Sequence, residues 1–150
     1  MNGLHRAWPM LLAILVLAGC QASSSLVPSG QSPYGTWAGL LPCADCPGIR
    51  MQLQLWKQPS VYRLTQTYQS ATTSPRTFVG EGHWRRVPRH NEDSLGMIVL
   101  QPKAKDGGIP RPEQFFSQLP DGSLLKLDAQ GRSIKSTLSY RLRRIRVPGP

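Results

Sequence analysis

Hydrophobic and polar residues alternate in short runs along the chain from residue 34 onward. In the clearest run, 49–57, one face carries Met51, Leu53 and Leu55, and most of the other face is polar. A repeat of two residues is typical of a β-strand with one buried face. Comparable runs occupy 34–41, 60–69, 76–87, 97–100, 114–119, 124–127 and 138–147. The pattern therefore predicts about eight short strands.

Turn signals separate these runs, and no segment repeats with the helical period of about 3.6 residues. Pro120-Asp121-Gly122 and Asp128-Ala129-Gln130-Gly131 are typical turn sequences, and prolines and glycines make 102–113 a long loop. The chain has 14 glycines and 14 prolines, a composition that is unfavourable for a helical bundle. We therefore predict an all-β fold, either a small antiparallel barrel or a sandwich. Barrel closure would remove the exposed strand edges.

The fourth run predicts how the sheet bends. Phe78, Gly80, Gly82 and Trp84 share one face of it, and glycines on an inward face allow tight curvature. In a small barrel we expect Phe78 and Trp84, together with Tyr68 of the preceding run, to help fill the interior.

The last run predicts a strand whose residues Leu138, Tyr140 and Leu142 face inward. The adjacent Arg143 and Arg144 interrupt the alternation, which predicts a β-bulge at that point. The sequence assigns no role to the surrounding basic stretch, Arg141 to Arg146.

Residues 1–19 have the features of a secretory signal. Arg6 supplies a positive charge, and 8–18 is an uncharged apolar segment, shorter than the about 20 residues that span a bilayer. The segment ends in Leu17-Ala18-Gly19-Cys20, which resembles the lipobox of bacterial lipoproteins. There the Cys thiol is acylated and becomes the first residue of the mature protein. An ordinary secretory cleavage site beside a chance cysteine is the alternative interpretation.

Residues 20–33 are expected to connect a lipidated Cys20 to the folded domain. The segment that follows Cys20 is Ser-rich and uncharged, so it cannot bury enough apolar surface to fold alone, and we interpret it as a flexible tether of about 20 Å. Gln21 follows the cysteine. In Gram-negative lipoproteins an Asp at this position resembles a signal for retention in the inner membrane, and Gln is not that signal. The predicted location is the periplasmic side of the outer membrane, with the lipid anchor as the contact with the membrane.

Basic residues outnumber acidic residues, 18 to 8, which gives a formal net charge of +10. Arg6 leaves with the leader, so the mature protein carries +9. Such a charge suits nucleic acid in a cytoplasmic protein, but the exported location excludes that partner. Attraction to anionic lipid headgroups and simple solubility are the two remaining interpretations.

Cys43 and Cys46 form a CxxC pair, and several chemistries use such a pair. A thioredoxin-like site would place it at a helix N-terminus, whereas Pro47-Gly48 and a strand pattern follow here. A c-type haem needs a histidine directly after the second cysteine, a position held by proline. A structural zinc ion usually needs four ligands, and His83 and His90 are distant in sequence.

Two interpretations of the cysteine pair remain open. Two thiolates on one short loop are suitable ligands for Cu(I), with Met51 nearby as an accessory thioether ligand. The oxidising periplasm instead favours a disulfide between Cys43 and Cys46, which would stiffen one end of a barrel. The residues favour the disulfide without excluding copper.

Residues 34–49 contain a distinctive motif with the core Pro42-Cys43-Ala44-Asp45-Cys46. This motif resembles that of the N-terminal domain of the NlpE family of envelope lipoproteins. The strand Gly82-His83-Trp84, the hairpin 125–134 and the closing strand 138–142 fit the family as well. The resemblance covers nearly all of a mature domain at 34–150. It implies a lipocalin-like β-barrel anchored in the outer membrane.

The resemblance also implies a function. The family is linked to copper tolerance, and its longer members to signalling through the Cpx envelope-stress pathway, so an envelope signalling protein is an expected partner. Cys43 and Cys46 match the family's CxxC, which is proposed to bind copper or to respond to redox state. Longer members add a second, OB-like domain with its own cysteines. The sequence here ends at Pro150, straight after the first domain, so roles that need the second domain are not expected of it.

A lipocalin-like binding module for a small apolar ligand is the alternative function, because barrels of this kind can enclose ligands. Small barrels are more often filled by their own side chains, which ranks this alternative second. The sequence contains no nucleophile elbow, no HExxH motif and no phosphate-binding loop. We therefore do not expect an enzyme.

Overall fold

The structure, a computed structural model, describes residues 25–88, 94–104 and 111–147. The predicted signal peptide, Cys20, His90 and the middle of the predicted 102–113 loop lie outside these residues. Nothing in the described part of the chain is helical, so it contains no helix that is long and apolar enough to cross a membrane.

Eight antiparallel strands form one closed barrel in which each strand pairs with its neighbour in sequence and the last pairs with the first. This confirms the predicted all-β fold and the expected strand number. It also decides between the two predicted architectures, because closure by β1 and β8 makes a barrel rather than a sandwich. The strands are β1 Gly35–Leu41, β2 Ile49–Lys57, β3 Ser60–Tyr68, β4 Arg76–Val87, β5 Gly96–Pro102, β6 Gln114–Gln118, β7 Leu124–Lys126 and β8 Arg141–Ile145.

The alternating pattern determines which side chains enter the barrel. On β2, Met51, Leu53 and Leu55 all point inward, as predicted, and Leu53 lies opposite Leu64 of β3. A register shift of one residue would turn this set outward, so burial of the apolar face fixes the pairing. Each such side chain contributes about 1.5–3 kcal/mol when it is fully buried.

The barrel interior is filled by its own side chains. Trp37 lies near one end, where its Nε1 donates a hydrogen bond of 2.8 Å to the carbonyl oxygen of Gly122. Trp84 packs against the same core, as predicted. The buried members of the core are Trp37, Leu41, Met51, Leu53, Leu55, Tyr62, Leu64, Ile98, Leu100, Phe116, Leu124 and Leu142.

The two ends of the barrel differ. We call the end closed by Trp37 and the turn 119–123 the floor, and the opposite end the mouth. Because β1 runs from floor to mouth and neighbouring strands are antiparallel, the mouth carries the 42–48 loop, the 69–75 turn and the start of β6. The predicted Pro120–Gly122 turn is confirmed at the floor, where the Gly122 amide donates to the Leu119 carbonyl.

Glycine allows the tight packing of β4 against β5. Gly82 is buried, and a side-chain carbon there would collide with the backbone carbonyl of Gln101. This agrees with the predicted role of glycine on the inward face of this strand.

Residues 25–33, which we call the strap, lie against the outer wall of the barrel. The Glu81 carboxylate of β4 accepts hydrogen bonds from the Ser25 hydroxyl (2.9 Å) and the Leu26 amide (2.9 Å). Further along, the Trp56 indole of β2 donates to the Gln31 carbonyl at 3.0 Å. These residues belong to the segment interpreted as a flexible tether, and its composition did not indicate that they would contact the barrel.

Two details predicted for the last strand are wrong. Leu138 does not face inward: it lies before β8 and is 60% exposed. The Leu138 amide donates a hydrogen bond of 3.0 Å to the Ser136 hydroxyl instead of to a neighbouring strand. The chain therefore turns at Leu138 and does not yet enter the sheet. The strand begins at Arg141, and Leu142 is the residue that enters the core.

The predicted bulge at Arg143 and Arg144 is also absent, because the pairing of β8 with β1 is continuous through both residues. Arg144 keeps the phase of Leu142, and its guanidinium lies 5.6 Å from the Trp37 ring and 5.7 Å from the Tyr34 ring. An arginine is therefore stable at an inward-facing position of the floor, because its charge is attracted to the faces of the Trp37 and Tyr34 rings.

Candidate functional site

The CxxC pair lies on the 42–48 loop, which joins β1 to β2 at the mouth. The loop begins and ends at the same rung of the hairpin, because the flanking residues Leu41 and Ile49 are directly paired. Gly48 packs so closely on β1 that a side-chain carbon there would lie 2.9 Å from the Leu40 Cδ1 atom. Its carbonyl accepts a hydrogen bond of 2.9 Å from the Gln69 amide. The loop is therefore attached both to the β1–β2 hairpin and to the turn after β3.

Cys43 and Cys46 form a disulfide, with their Cα atoms 5.3 Å apart. The disulfide is one of the two interpretations that the sequence left open, the one that the residues favoured, and the Cα separation lies in the usual range for cystine. Both residues are half-buried, while Asp45 between them is exposed. The cystine is thus outside the packed core and accessible from the mouth.

Met51 lies in a different environment from the cystine. It is on β2, opposite Gly39 of β1 and Gln66 of β3, and its side chain is 1% exposed within the core. A thioether in that position contributes to packing, so a role as copper ligand would require it to turn toward the mouth. Its proposed role as accessory ligand stays a prediction.

The donor atoms at the mouth determine which metals the loop suits. Two thiolates of a reduced CxxC are suitable ligands for a soft monovalent ion, and the disulfide form offers none. Within the residues described, no three His, Cys, Asp or Glu side chains come together to hold a metal ion. His83 is exposed on the outer wall of β4, away from the cysteine loop in sequence.

A cleft of 670 Å³ opens at the mouth beside the cystine. Tyr68 and Phe78 form an edge-to-face pair in it, with ring centroids 5.6 Å apart. The prediction that these two side chains fill the interior is wrong, because Tyr68 is 37% exposed and Phe78 is 52% exposed. Their faces of the strands do point inward, but both residues lie at strand ends on the rim, beyond the packed layers. The other residues that line the cleft are Cys43, Asp45, Cys46, Pro47, Gln66, Arg76, Arg111 and residues 69–74.

Lys126 is a functional candidate that the sequence analysis missed. It lies on β7 opposite Phe116, with its Nζ atom 5.0 Å from the Phe116 ring, and it donates to the Gln114 side-chain oxygen at 3.1 Å. Burial lowers the pKa of Lys126 below its ordinary value. The signal was present in the sequence, because Lys126 keeps the inward phase of Leu124.

The guanidinium of Arg111 lies at the mouth, and its positive charge influences the inward-facing Tyr62. Its Nη1 atom lies 4.0 Å from the position that a side-chain carbon would take at Gly80. Burial raises the pKa of Tyr62 to about 12, and the positive charge of Arg111 partly opposes that rise. The inward-facing Tyr62 phenol therefore stays neutral at physiological pH. No local pattern around Arg111 indicated this placement, which depends on how the loop before β6 returns to the barrel.

Comparisons with known proteins agree with this architecture. Residues 37–137 match the family model of the NlpE N-terminal domain. The lipoprotein NlpE of Escherichia coli K12 is 27% identical over 143 residues, which cover 88% of this chain and 52% of the relative. The chain thus spans about half the length of that curated relative.

Two solved structures share the fold. The crystal structure of the Cpx pathway activator NlpE from Escherichia coli matches with a TM-score of 0.51 and 28% identity, over 76% of this chain and 52% of that one. A predicted lipoprotein from Shewanella oneidensis matches with a TM-score of 0.51 and 26% identity, over 73% and 86%. Because the family model spans more than half of the sequence, including both cysteines, this chain belongs to the NlpE N-terminal domain family.

Proposed function

We propose that this protein is a lipid-anchored envelope sensor whose CxxC loop responds to copper or to redox state. One observation carries the proposal: the cystine Cys43–Cys46 lies on the mouth loop, outside the packed core but joined to three strands. Its chemistry can change without unfolding the barrel, and the loop can transmit the change. The Escherichia coli relative, described as a Cpx pathway activator, supports a signalling role.

The proposed change of state is a two-electron reduction. A dithiol reductant breaks the S–S bond, the two sulfurs take up two electrons and two protons, and the reductant leaves as its own disulfide. Cys43 and Cys46 would then hold Cu(I) as thiolates after losing those protons. When bound, Cu(I) would supply a soft monovalent charge that stabilises the two sulfurs in the thiolate form.

The attachment of the loop determines what the change would affect. The Gly48 carbonyl is bonded to the Gln69 amide, and 69–74 lines the same cleft as the cystine. Opening the disulfide frees the loop residues between the two cysteines and alters one wall of the cleft. An envelope signalling protein that contacts the mouth would distinguish the two states.

The proposal includes a lipid on Cys20 and location at the outer membrane. It is supported by the lipobox-like Leu17-Ala18-Gly19-Cys20 and by the description of the Escherichia coli relative as a lipoprotein. Four residues separate Cys20 from the strap at Ser25, and the five steps along the chain span about 18 Å at most. Mass spectrometry of the mature N-terminus is expected to show acyl groups on Cys20, and a Cys20→Ser variant is expected to leave the membrane fraction.

A complementation experiment tests the function. Cells that lack the protein would receive the wild type, a Cys43→Ser/Cys46→Ser variant or a matched Ser60→Ala control on the floor side of β3. We expect the wild type and the control to restore copper tolerance and the envelope-stress response, and the double variant to restore neither at equal protein level. Full restoration by the double variant would show that the function does not need the cysteine pair.

A small apolar ligand at the mouth is the second candidate function, and the cleft is the observation that favours it. Its volume of 670 Å³ lies within the range of ligand sites, and the exposed Tyr68–Phe78 pair provides apolar surface. The filled interior below limits how deeply such a ligand could enter.

A further inference from the structure

The inner side of the mouth gathers positive charge. Arg76 begins β4 on the same face as Phe78, Arg111 reaches over Gly80, and Lys126 enters from β7. Strand direction places all three at the mouth end, because β4 and β6 both begin there and β7 ends there. Arg76 and Arg111 line the cleft directly.

Carboxylates that could balance these charges are engaged elsewhere. Among the described acidic residues, four pair with other arginines, as Glu81–Arg63, Glu113–Arg85, Asp128–Arg132 and Asp121–Arg141. The fifth, Asp45, is exposed on the loop at the edge of the cleft and offsets part of the charge. The described mouth therefore retains a positive balance.

Lys126 is the most informative of the three cations. Its ammonium group faces the Phe116 ring and donates to one neutral amide oxygen, that of Gln114. Holding an ammonium group partly away from water without a carboxylate is unfavourable, so an anion near Lys126 would supply a negative charge that its described neighbours lack. Gln66 and Gln114 on the same inner surface add amide groups that can bond to an oxyanion.

The apolar side of the cleft sets the shape of the ligand. The Tyr68–Phe78 pair and the cystine form a wall on which a flat apolar body can lie. Below the mouth, Met51, Leu100 and Phe116 close the interior. A long acyl chain therefore cannot enter the barrel, whereas a short body remains at the rim.

We infer that the mouth cleft binds a small organic anion, an oxyanion such as a carboxylate on a short aromatic or aliphatic body. The anionic head lies beside Arg111, which lines the cleft, and the positive charge of Lys126 at the same end of the barrel adds to the attraction. The apolar body rests on Tyr68 and Phe78. This inference rests on the second proposed function, a ligand-binding mouth, and assigns the charge and the size of its ligand. It is independent of copper binding.

Equilibrium dialysis of the full chain in phosphatidylcholine nanodiscs tests the inference, with empty nanodiscs as the background. The probes are 1-naphthoate and its neutral counterpart 1-naphthalenemethanol. We expect one naphthoate per chain, bound about tenfold or more tightly than the alcohol. Arg111→Gln and Lys126→Gln are each expected to weaken naphthoate about fivefold and to leave the alcohol unchanged.

The control is Arg85→Gln, which removes one positive charge from the outer wall of β4 and should leave both affinities unchanged. Arg111 is exposed, so its substitution keeps the test valid even if Lys126→Gln fails to fold. Equal binding of naphthoate and alcohol, insensitive to Arg111→Gln, would overturn the anion assignment while keeping a ligand-binding mouth. Binding of neither probe would overturn both. Displacement of naphthoate by an equal concentration of inorganic phosphate would overturn the role given to the apolar wall.

Discussion

At the residue scale, Lys126 shows how an inward strand position can hold a charge. The alternation of β7 indicates that Lys126 shares a face with Leu124, so its direction was predictable. Its partners were not, because Phe116 and Gln114 come from a strand whose register is set by the whole barrel. The CxxC spacing similarly predicted that two sulfurs would be close, but a thiol pair and a disulfide have the same sequence.

We predict that Lys126→Met stabilises the protein by about 1 kcal/mol at pH 7. Burial lowers the pKa of Lys126, so the charged form is penalised in the folded state and the penalty is fully present below the lowered pKa. It disappears as the pH rises toward the ordinary value of 10.5, so the stabilising effect should shrink over that range. Urea unfolding at several pH values measures it. The exposed Lys135→Met is the control, and an unchanged or lower stability for Lys126→Met would contradict the account.

We also predict that reduction of the Cys43–Cys46 disulfide lowers the free energy of unfolding by about 2 kcal/mol or less. The bond closes a very short loop, and the entropy it removes from the unfolded chain grows with loop length. The strand signal in circular dichroism should persist, because both cysteines lie outside the strands. Cys43→Ser/Cys46→Ser is the matched variant, and loss of the strand signal in it would show that the barrel depends on the bond.

At the element scale, the strap and the start of β8 are the places where the sequence pattern did not predict the structure. Strand positions were predictable because each strand has an apolar face, and β2 and β4 have the bounds that their runs predicted. The strap has no such face. It is held by the Glu81 carboxylate and the Trp56 indole, partners that only the folded wall brings to it.

Glu81→Gln is predicted to loosen the strap and to lower the free energy of unfolding by about 1 kcal/mol. Burial pushes the pKa of Glu81 upward, but hydrogen bonds from the Leu26 amide, Arg63 and Ser25 prevail and hold it below its ordinary value. The carboxylate's contribution is therefore present above pH 4.5 and is lost as the pH falls through the lowered pKa.

Hydrogen exchange at the Leu26 amide measures the strap directly. We expect faster exchange in Glu81→Gln at neutral pH, and in the wild type only under acid conditions. Glu113→Gln is the control, because that carboxylate pairs with Arg85 and Gln101 and does not contact the strap. Equal exchange in the wild type and in Glu81→Gln would show that Glu81 does not hold the strap.

Two leucines near the end of the chain test where β8 begins. Leu142→Ala is predicted to cost about 2–5 kcal/mol, because it leaves a cavity in the core at the strand that closes the barrel. Leu138→Ala should change stability by less than about 0.5 kcal/mol, since the side chain is exposed. Thermal or urea unfolding compares the two variants. Similar losses in the free energy of unfolding would show that Leu138 is packed in the core.

At the scale of the whole molecule, the fold was largely predictable and the arrangement of the mouth was not. Eight alternating runs with sequential turns leave few topologies, and pairing each strand with the next gives a barrel once β1 meets β8. The rim depends on where strands end. Tyr68 and Phe78 have inward phase, yet they are exposed because the packed layers stop before them.

Copper binding by the reduced mouth loop is the decisive test of the proposed sensor. Cu(I) would be titrated into the reduced full chain against a chromophoric Cu(I) chelator, with Cys43→Ser/Cys46→Ser as the matched variant and Met51→Leu as the test of the accessory ligand. We expect one Cu(I) per wild-type chain, no binding by the oxidised protein, and an affinity about a hundredfold or more weaker in the double variant. Equal Cu(I) affinity in the wild type and in the double variant would contradict this expectation.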